Sequence, residues 1–145
     1  MTRYLTVGAA QMGAIRKDES RADCVVRLID LLEDAASRGC ELVVFPELAL
    51  TTFFPRWFTD DIDEIESWFE SEMPNAATQP LFNRAMELGV GFSLGYAEIV
   101  VGDDGVRHRY NTQVLVERDG SIVGKYRKIH VPGHEENEPE RPFQH

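Results

Sequence analysis

Between residues 20 and 38, apolar side chains recur at Val25, Leu28, Ile29, Leu32 and Ala36, the spacing of one helical face, and Cys24, Leu31 and Ala35 widen the stripe. Gly39 follows as the helix stop. The flanking runs have a different pattern. Residues 4–10 are apolar-rich and residues 41–46 (ELVVFP) hold a short apolar run, which predicts buried strands, and Pro46 ends the second. Residues 60–72 interleave Ile62, Ile65, Trp68 and Phe69 with seven carboxylates at helical intervals, which predicts an acidic amphipathic helix. A third helix is expected over 79–88, ended by Gly89, with a buried strand over 90–96. Residues 112–117 and 121–125 flank Asp119-Gly120, the signal for a hairpin. The order β, α, β, α, α, β and hairpin predicts an α/β layered fold with antiparallel later strands, and no internal repeat interrupts it.

Charge narrows the partners. Fifteen Lys and Arg against 25 Asp and Glu leave a formal charge of −10, and the dense positive stretches are confined to 107–109 and 125–128. Capture of nucleic acid or an anionic membrane needs a concentrated basic face, so neither is an expected partner. With 43% hydrophobic and 28% charged residues in 145, the composition is that of a globular domain or part of one, and no apolar run approaches the ~20 residues of a membrane span. The first residues, MTRYLTVGAAQMG, lack the h-region and cleavage site of a signal peptide, so the expected location is cytoplasmic. Cys24 and Cys40, without CxxC spacing, are read as reduced thiols. The last stretch, PGHEENEPERPFQH, has no periodic segment and leads into no further element, which suggests an incomplete domain.

Two positions could carry chemistry. Glu47 follows a buried strand, and the carboxyl ends of strands are where α/β sheets hold ligands and catalytic groups. Lys128 lies in GKYRKIHVPG, just after the hairpin, beside Tyr126 and His130. Each has a plain reading as a solvated loop charge. If they meet, a carboxylate and an ammonium would suit acid–base work and oxyanion stabilisation. Phe53, Phe54, Pro55, Arg56 and Trp57 are open to readings as pocket wall or as core. Asn111 is a support for the site or a turn cap. His134 and the glutamates near it lack metal-ligand spacing.

The runs VVFPELALTTFFPRW at 43–57 and GKYRKIHVPGHEE at 124–136 resemble the nitrilase, or carbon-nitrogen hydrolase, superfamily. FPELALTTFFPRW, the YNT at 110–112 and the ending RPFQH further resemble the subgroup that hydrolyses N-carbamoyl-D-amino acids. The resemblance implies a four-layer αββα sandwich, of which residues 1–145 are the N-terminal half. It also implies a Glu, Lys, Cys triad cleaving a non-peptide carbon-nitrogen bond without metal or organic cofactor. Glu47 then matches the general base and Lys128 the lysine supporting the tetrahedral intermediate. The family's nucleophilic cysteine lies in a later motif, beyond His145, so the chain alone is expected to be inactive. His130 and His145 match positions near the family's pocket, where either could orient Glu47 or bind a substrate carboxylate. The implied substrate is a small N-carbamoyl amino acid, and the complete enzyme is expected to be a homo-oligomer. Other amidohydrolase specificities, such as N-carbamoyl-β-alanine or simple amides, remain open, as does a non-catalytic half-domain that binds a partner through its uncovered sheet.

Overall fold

The computed structural model describes residues 2–56 and 59–130. Five strands form one sheet in the order β1 (Val7–Ala9), β2 (Leu42–Val44), β3 (Gly91–Val101), β4 (Arg107–Val116), β5 (Ile122–Arg127). The first two pairings are parallel and the last two antiparallel. Three helices, α1 (Arg21–Ser37), α2 (Ile62–Glu66) and α3 (Gln79–Leu88), connect them. No helix among the described residues is long and apolar enough to cross a membrane.

The apolar stripe on α1 buries Cys24, Val25, Leu28 and Leu32 as its spacing predicts. A capping box starts the helix: the Ser20 hydroxyl accepts from the Asp23 N–H, and the Asp23 carboxylate accepts from the Ser20 N–H. Helix α3 buries Leu81, Phe82 and Ala85 and ends at Gly89, whose φ of 64° is left-handed. Both helices cover the same sheet face, tied to each other by Arg84 and Glu33 at 2.7 Å. Beneath them Phe92 is fully buried, with T-shaped contacts to Phe45 at 6.0 Å and Phe82 at 5.0 Å. Gly8 lets α1 close on β1, because a Cβ there would lie 3.2 Å from the Cys40 sulfur and 3.3 Å from the Ala35 Cβ.

The opposite face has no covering layer among the described residues. Strand alternation puts Val7, Val44, Leu115 and Tyr126 there, exposed by 49%, 39%, 40% and 57%. This corrects the expectation of fully buried first strands: β1 and β2 bury one face only, which is why apolar residues on both faces do not mean two buried faces here.

The acidic segment also departs from its periodicity. Helix α2 stops at Glu66, capped at its start by Asp61, instead of continuing to Glu72. Four residues on, the Glu70 N–H donates to the Ala97 carbonyl, and the Ile99 N–H donates to the Glu70 carbonyl. The chain is drawn out of the helix to complete the edge of β3 that β2 no longer reaches, a long-range pairing that local spacing does not encode. The strands β3 and β4 run well beyond the expected 90–96 and 112–117, because Gly102–Val106 closes a second hairpin between them.

Candidate active site

Strand β2 ends at Val44, shortly before Pro46, but the backbone stays attached to β3: the Phe45 N–H donates to the Ser93 carbonyl and the Ala49 N–H to the Gly95 carbonyl, each at 2.9 Å. Between these two bonds the chain turns sharply, and Leu48 takes a φ of 50°, a left-handed conformation that costs a non-glycine residue roughly 1–2 kcal/mol. Its side chain, 3% exposed, anchors the turn in the core. Gly95 makes the approach possible. A Cβ at that position would fall 2.9 Å from the Pro46 carbonyl and 3.0 Å from the Glu47 Cα, both backbone atoms that cannot swing away. The result is a fixed platform that presents Glu47 on the open face of the sheet.

Asn111 reaches the same place from β4. It pairs with Ala97, so alternation sends its side chain to the open face, where Nδ2 donates to Glu47 Oε1 at 2.5 Å. Lys128 follows β5 and is held by its own N–H, which donates to the Asn111 carbonyl at 2.8 Å. Its ammonium lies 2.7 Å from the same Glu47 oxygen. Burial pushes the Glu47 carboxyl up, but hydrogen bonds from Lys128 and Asn111 and the Lys128 charge outweigh it, and the net shift is downward. Glu47 is therefore ionised at neutral pH and able to accept a proton.

The structure thus brings together Glu47, Lys128 and Asn111, which are 64 and 81 residues apart along the chain. His130 is exposed and is not among the hydrogen-bond partners of Glu47. His145 and the glutamates near His134 lie outside the described residues, as does Trp57. The aromatic loop divides its roles. Phe54 stacks on Trp68 at 5.2 Å, whereas Phe53 is 46% exposed and lines a recess of about 110 Å³ with Met12, Ile15, Glu47 and Thr51. Neither described thiol belongs to the site: Cys24 is on the buried stripe of α1, where burial pushes its thiol up to about 11, and Cys40 packs near Gly8 and Ala35 on the helix-covered side. Among the described residues no group of three or more His, Cys, Asp or Glu could hold a metal ion.

Sequence reasoning passed over Gly95 and Glu98. Both lie in the run GFSLGYAEIVV, where a glycine inside a strand signals close backbone approach and a lone carboxylate among apolar residues signals a buried pair.

A helix-backed sheet with parallel and antiparallel parts, carrying a carboxylate and a lysine together at its strand ends, defines an α/β layered class of protein. The family model for carbon-nitrogen hydrolases matches residues 6–144, and the chain belongs to that family. It is similar to an omega-amidase from Homo sapiens, with 25% identity over 111 residues covering 77% of this chain and 36% of the relative. A cyanide hydratase from Aspergillus niger is 27% identical over 127 residues, covering 83% of this chain and 33% of that protein. Among solved structures, Nit3 of Saccharomyces cerevisiae, from the nitrilase superfamily, matches with a TM-score of 0.71 and 18% identity, over 97% of this chain and 47% of that one. An amidase from Nesterenkonia sp. matches with a TM-score of 0.64 and 19% identity, over 92% and 46%. The fold is that of one part of the nitrilase αββα sandwich, and the chain spans less than half the length of these relatives.

Proposed function

We propose that residues 1–145 form part of a carbon-nitrogen hydrolase domain and supply the general base, Glu47, and the oxyanion-supporting lysine, Lys128, of a cysteine-dependent amidohydrolase. The observation that carries this reading is the 2.7 Å contact between Lys128 Nζ and Glu47 Oε1, with Asn111 donating to the same oxygen. The nucleophile comes from outside these residues, since Cys24 and Cys40 are both on the wrong side of the sheet. In a mutant of a similar amidase from Nesterenkonia sp. AN1, acrylamide has undergone Michael addition at the active-site cysteine.

The substrate we assign is an N-carbamoyl-D-amino acid, on the strength of the runs FPELALTTFFPRW, YNT and RPFQH. Glu47 takes the thiol proton as sulfur attacks the ureido carbonyl, and Lys128 balances the charge that develops on oxygen. The bond to the terminal nitrogen breaks, the proton held by Glu47 goes to that nitrogen, and ammonia leaves a carbamoyl thioester. Water then attacks, Glu47 accepting its proton and returning it to sulfur, and the carbamic acid splits into carbon dioxide and the D-amino acid. On the family resemblance, His130 and His145 are assigned to binding the substrate or orienting Glu47, in a cytoplasmic homo-oligomer that needs no metal or organic cofactor. The omega-amidase relative favours a second reading within the same class, an amidohydrolase acting on simple amides; N-carbamoyl-β-alanine is an alternative substrate of that reading.

Ammonia release separates these readings. The enzyme carrying this segment together with its cysteine-bearing portion should act on N-carbamoyl-D-amino acids and not on the L forms. Preference for a simple amide would replace the first reading with the second. Retained turnover in the Glu47→Gln form would remove Glu47 from the mechanism, since loss of a positioned general base costs about 10²–10⁴-fold. The 145-residue chain alone should release none, and release abolished by mutating Cys24 or Cys40 would overturn the assignment of the nucleophile.

A further inference from the structure

Directly behind the Glu47–Lys128 pair, on the helix-covered side of the same strands, is a second charged cluster that the proposed chemistry does not use. Glu98 is only 4% exposed. It accepts from Arg127 Nε at 2.8 Å and Nη2 at 3.0 Å, from the Thr112 hydroxyl at 2.8 Å, and from the Lys125 ammonium. The Arg127 guanidinium also lies 4.0 Å from the centre of the Tyr110 ring. All its donors other than Thr112 come from β5, and Arg127 is the residue immediately before Lys128.

Strand β5 has little else to set its position. It is an edge strand whose residues are exposed apart from the partly buried Gly124, and a register irregularity at Leu115/Val116 interrupts its ladder to β4. Alternation of apolar and polar residues normally fixes register, because a slip of one residue turns every side chain to the other face. In IVGKYR that alternation is absent, and Ile122 and Val123 are both exposed. A planar guanidinium gripped at two nitrogens by a buried carboxylate and stacked on a ring supplies the missing constraint. With Arg127 held to the covered face, the next side chain must emerge on the open face, where Glu47 is waiting.

From this geometry we infer that Glu98 and Arg127 are positioning residues: they lock the end of β5 so that the Lys128 ammonium is delivered to Glu47. The catalytic meaning of that delivery rests on the amidohydrolase reading above, but the coupling itself can be read without turnover. The measurement is the titration of the Glu47 carboxyl, followed by carbon NMR in the 145-residue chain, with Lys128→Met marking the midpoint when the cation is gone. Arg127→Gln should move the Glu47 midpoint upward, towards the Lys128→Met value. Arg127→Lys, which keeps the charge but loses the fork and the stacking, should fall between Arg127→Gln and wild type. Leu32→Val, which weakens the core beneath α1, should lower stability and leave the midpoint alone. Should Arg127→Gln not fold, Glu98→Gln and Arg127→Lys give the same comparison. A folded Arg127→Gln or Glu98→Gln chain titrating at the wild-type midpoint would overturn the inference, as would an equal shift in Leu32→Val. An unmoved midpoint leaves the amidohydrolase reading standing, and a moved midpoint beside absent turnover in the enzyme that also carries the cysteine-bearing portion removes that reading and keeps the coupling.

Discussion

Two carboxylates stand on opposite faces of the same strands, each paired with cations from β5 or the residue after it, and their surroundings make them different instruments. Glu98 is on the face of the sheet that the helices pack against, its side chain 5% exposed, with its oxygens taken up by two cations and a hydroxyl. Burial alone would raise it, but hydrogen bonds from Arg127, Lys125 and Thr112 and the Lys125 charge bring it down to about 2. Glu47 is on the open face, its side chain 44% exposed, and both of its recorded donors converge on one oxygen, Oε1. The first is fully occupied and fixed in one protonation state, which suits a structural clamp. The second is ionised yet accessible, which suits proton transfer.

The covered face should therefore carry the stability. Phe92→Ala removes a fully buried ring with two aromatic neighbours and should cost about 3–5 kcal/mol in urea-induced unfolding. A cost below 1 kcal/mol would mean that this face is not the core. The next largest effect is acid-dependent. The Glu98 carboxyl is lower in the folded chain, about 2 against an ordinary value of 4.5, so its contribution is complete above pH 4.5 and disappears as the pH falls towards 2. A shift of that size corresponds to stabilisation on the order of 3 kcal/mol. Glu98→Gln should flatten the acid limb of the stability profile, and an unchanged limb would show that the clamp contributes nothing.

Glu47 should behave differently under the same assay. Half-exposed ion pairs are worth about 0–1 kcal/mol, so Glu47→Gln and Lys128→Met should leave the unfolding midpoint nearly in place. A loss comparable to that from the Glu98 clamp would mean that the pair holds the fold together, which would weaken its assignment to chemistry.

How much of this could be read from sequence depended on distance along the chain. Helices α1 and α3 were legible because Val25, Leu28 and Leu32, or Leu81, Phe82 and Ala85, recur within one or two turns and glycines end both segments. Helix α2 was overestimated because Glu70 is claimed by Ala97 and Ile99, partners that periodicity over a dozen residues does not register. The pairing of Glu47 with Lys128 came from family resemblance, since spacing offers no reason for residues 81 apart to meet. The Glu98 clamp left a readable trace: Tyr96 and Glu98 share one face of β3, and Lys125 and Arg127 share that same face of β5. What hid it was the register itself, which the irregularity at Leu115/Val116 shifts and no local signal reports.

The smallest expected effect tests the open face most directly. Leu115 is 40% exposed and points away from the helices, so Leu115→Ser removes little buried area and should change stability by no more than about 0.5 kcal/mol. It also removes one of the exposed apolar side chains that this face carries with Val7, Val44 and Tyr126, and exposed apolar surface drives association. Sedimentation of the 145-residue chain should then show less self-association in the variant than in the wild type at equal concentration. The two readouts should move independently, because on this face exposure, not packing, is what the side chain contributes. If Leu115→Ser destabilised the chain as severely as Phe92→Ala, the face would be covered in solution, and the division between a structural and a chemical side of the sheet would fail.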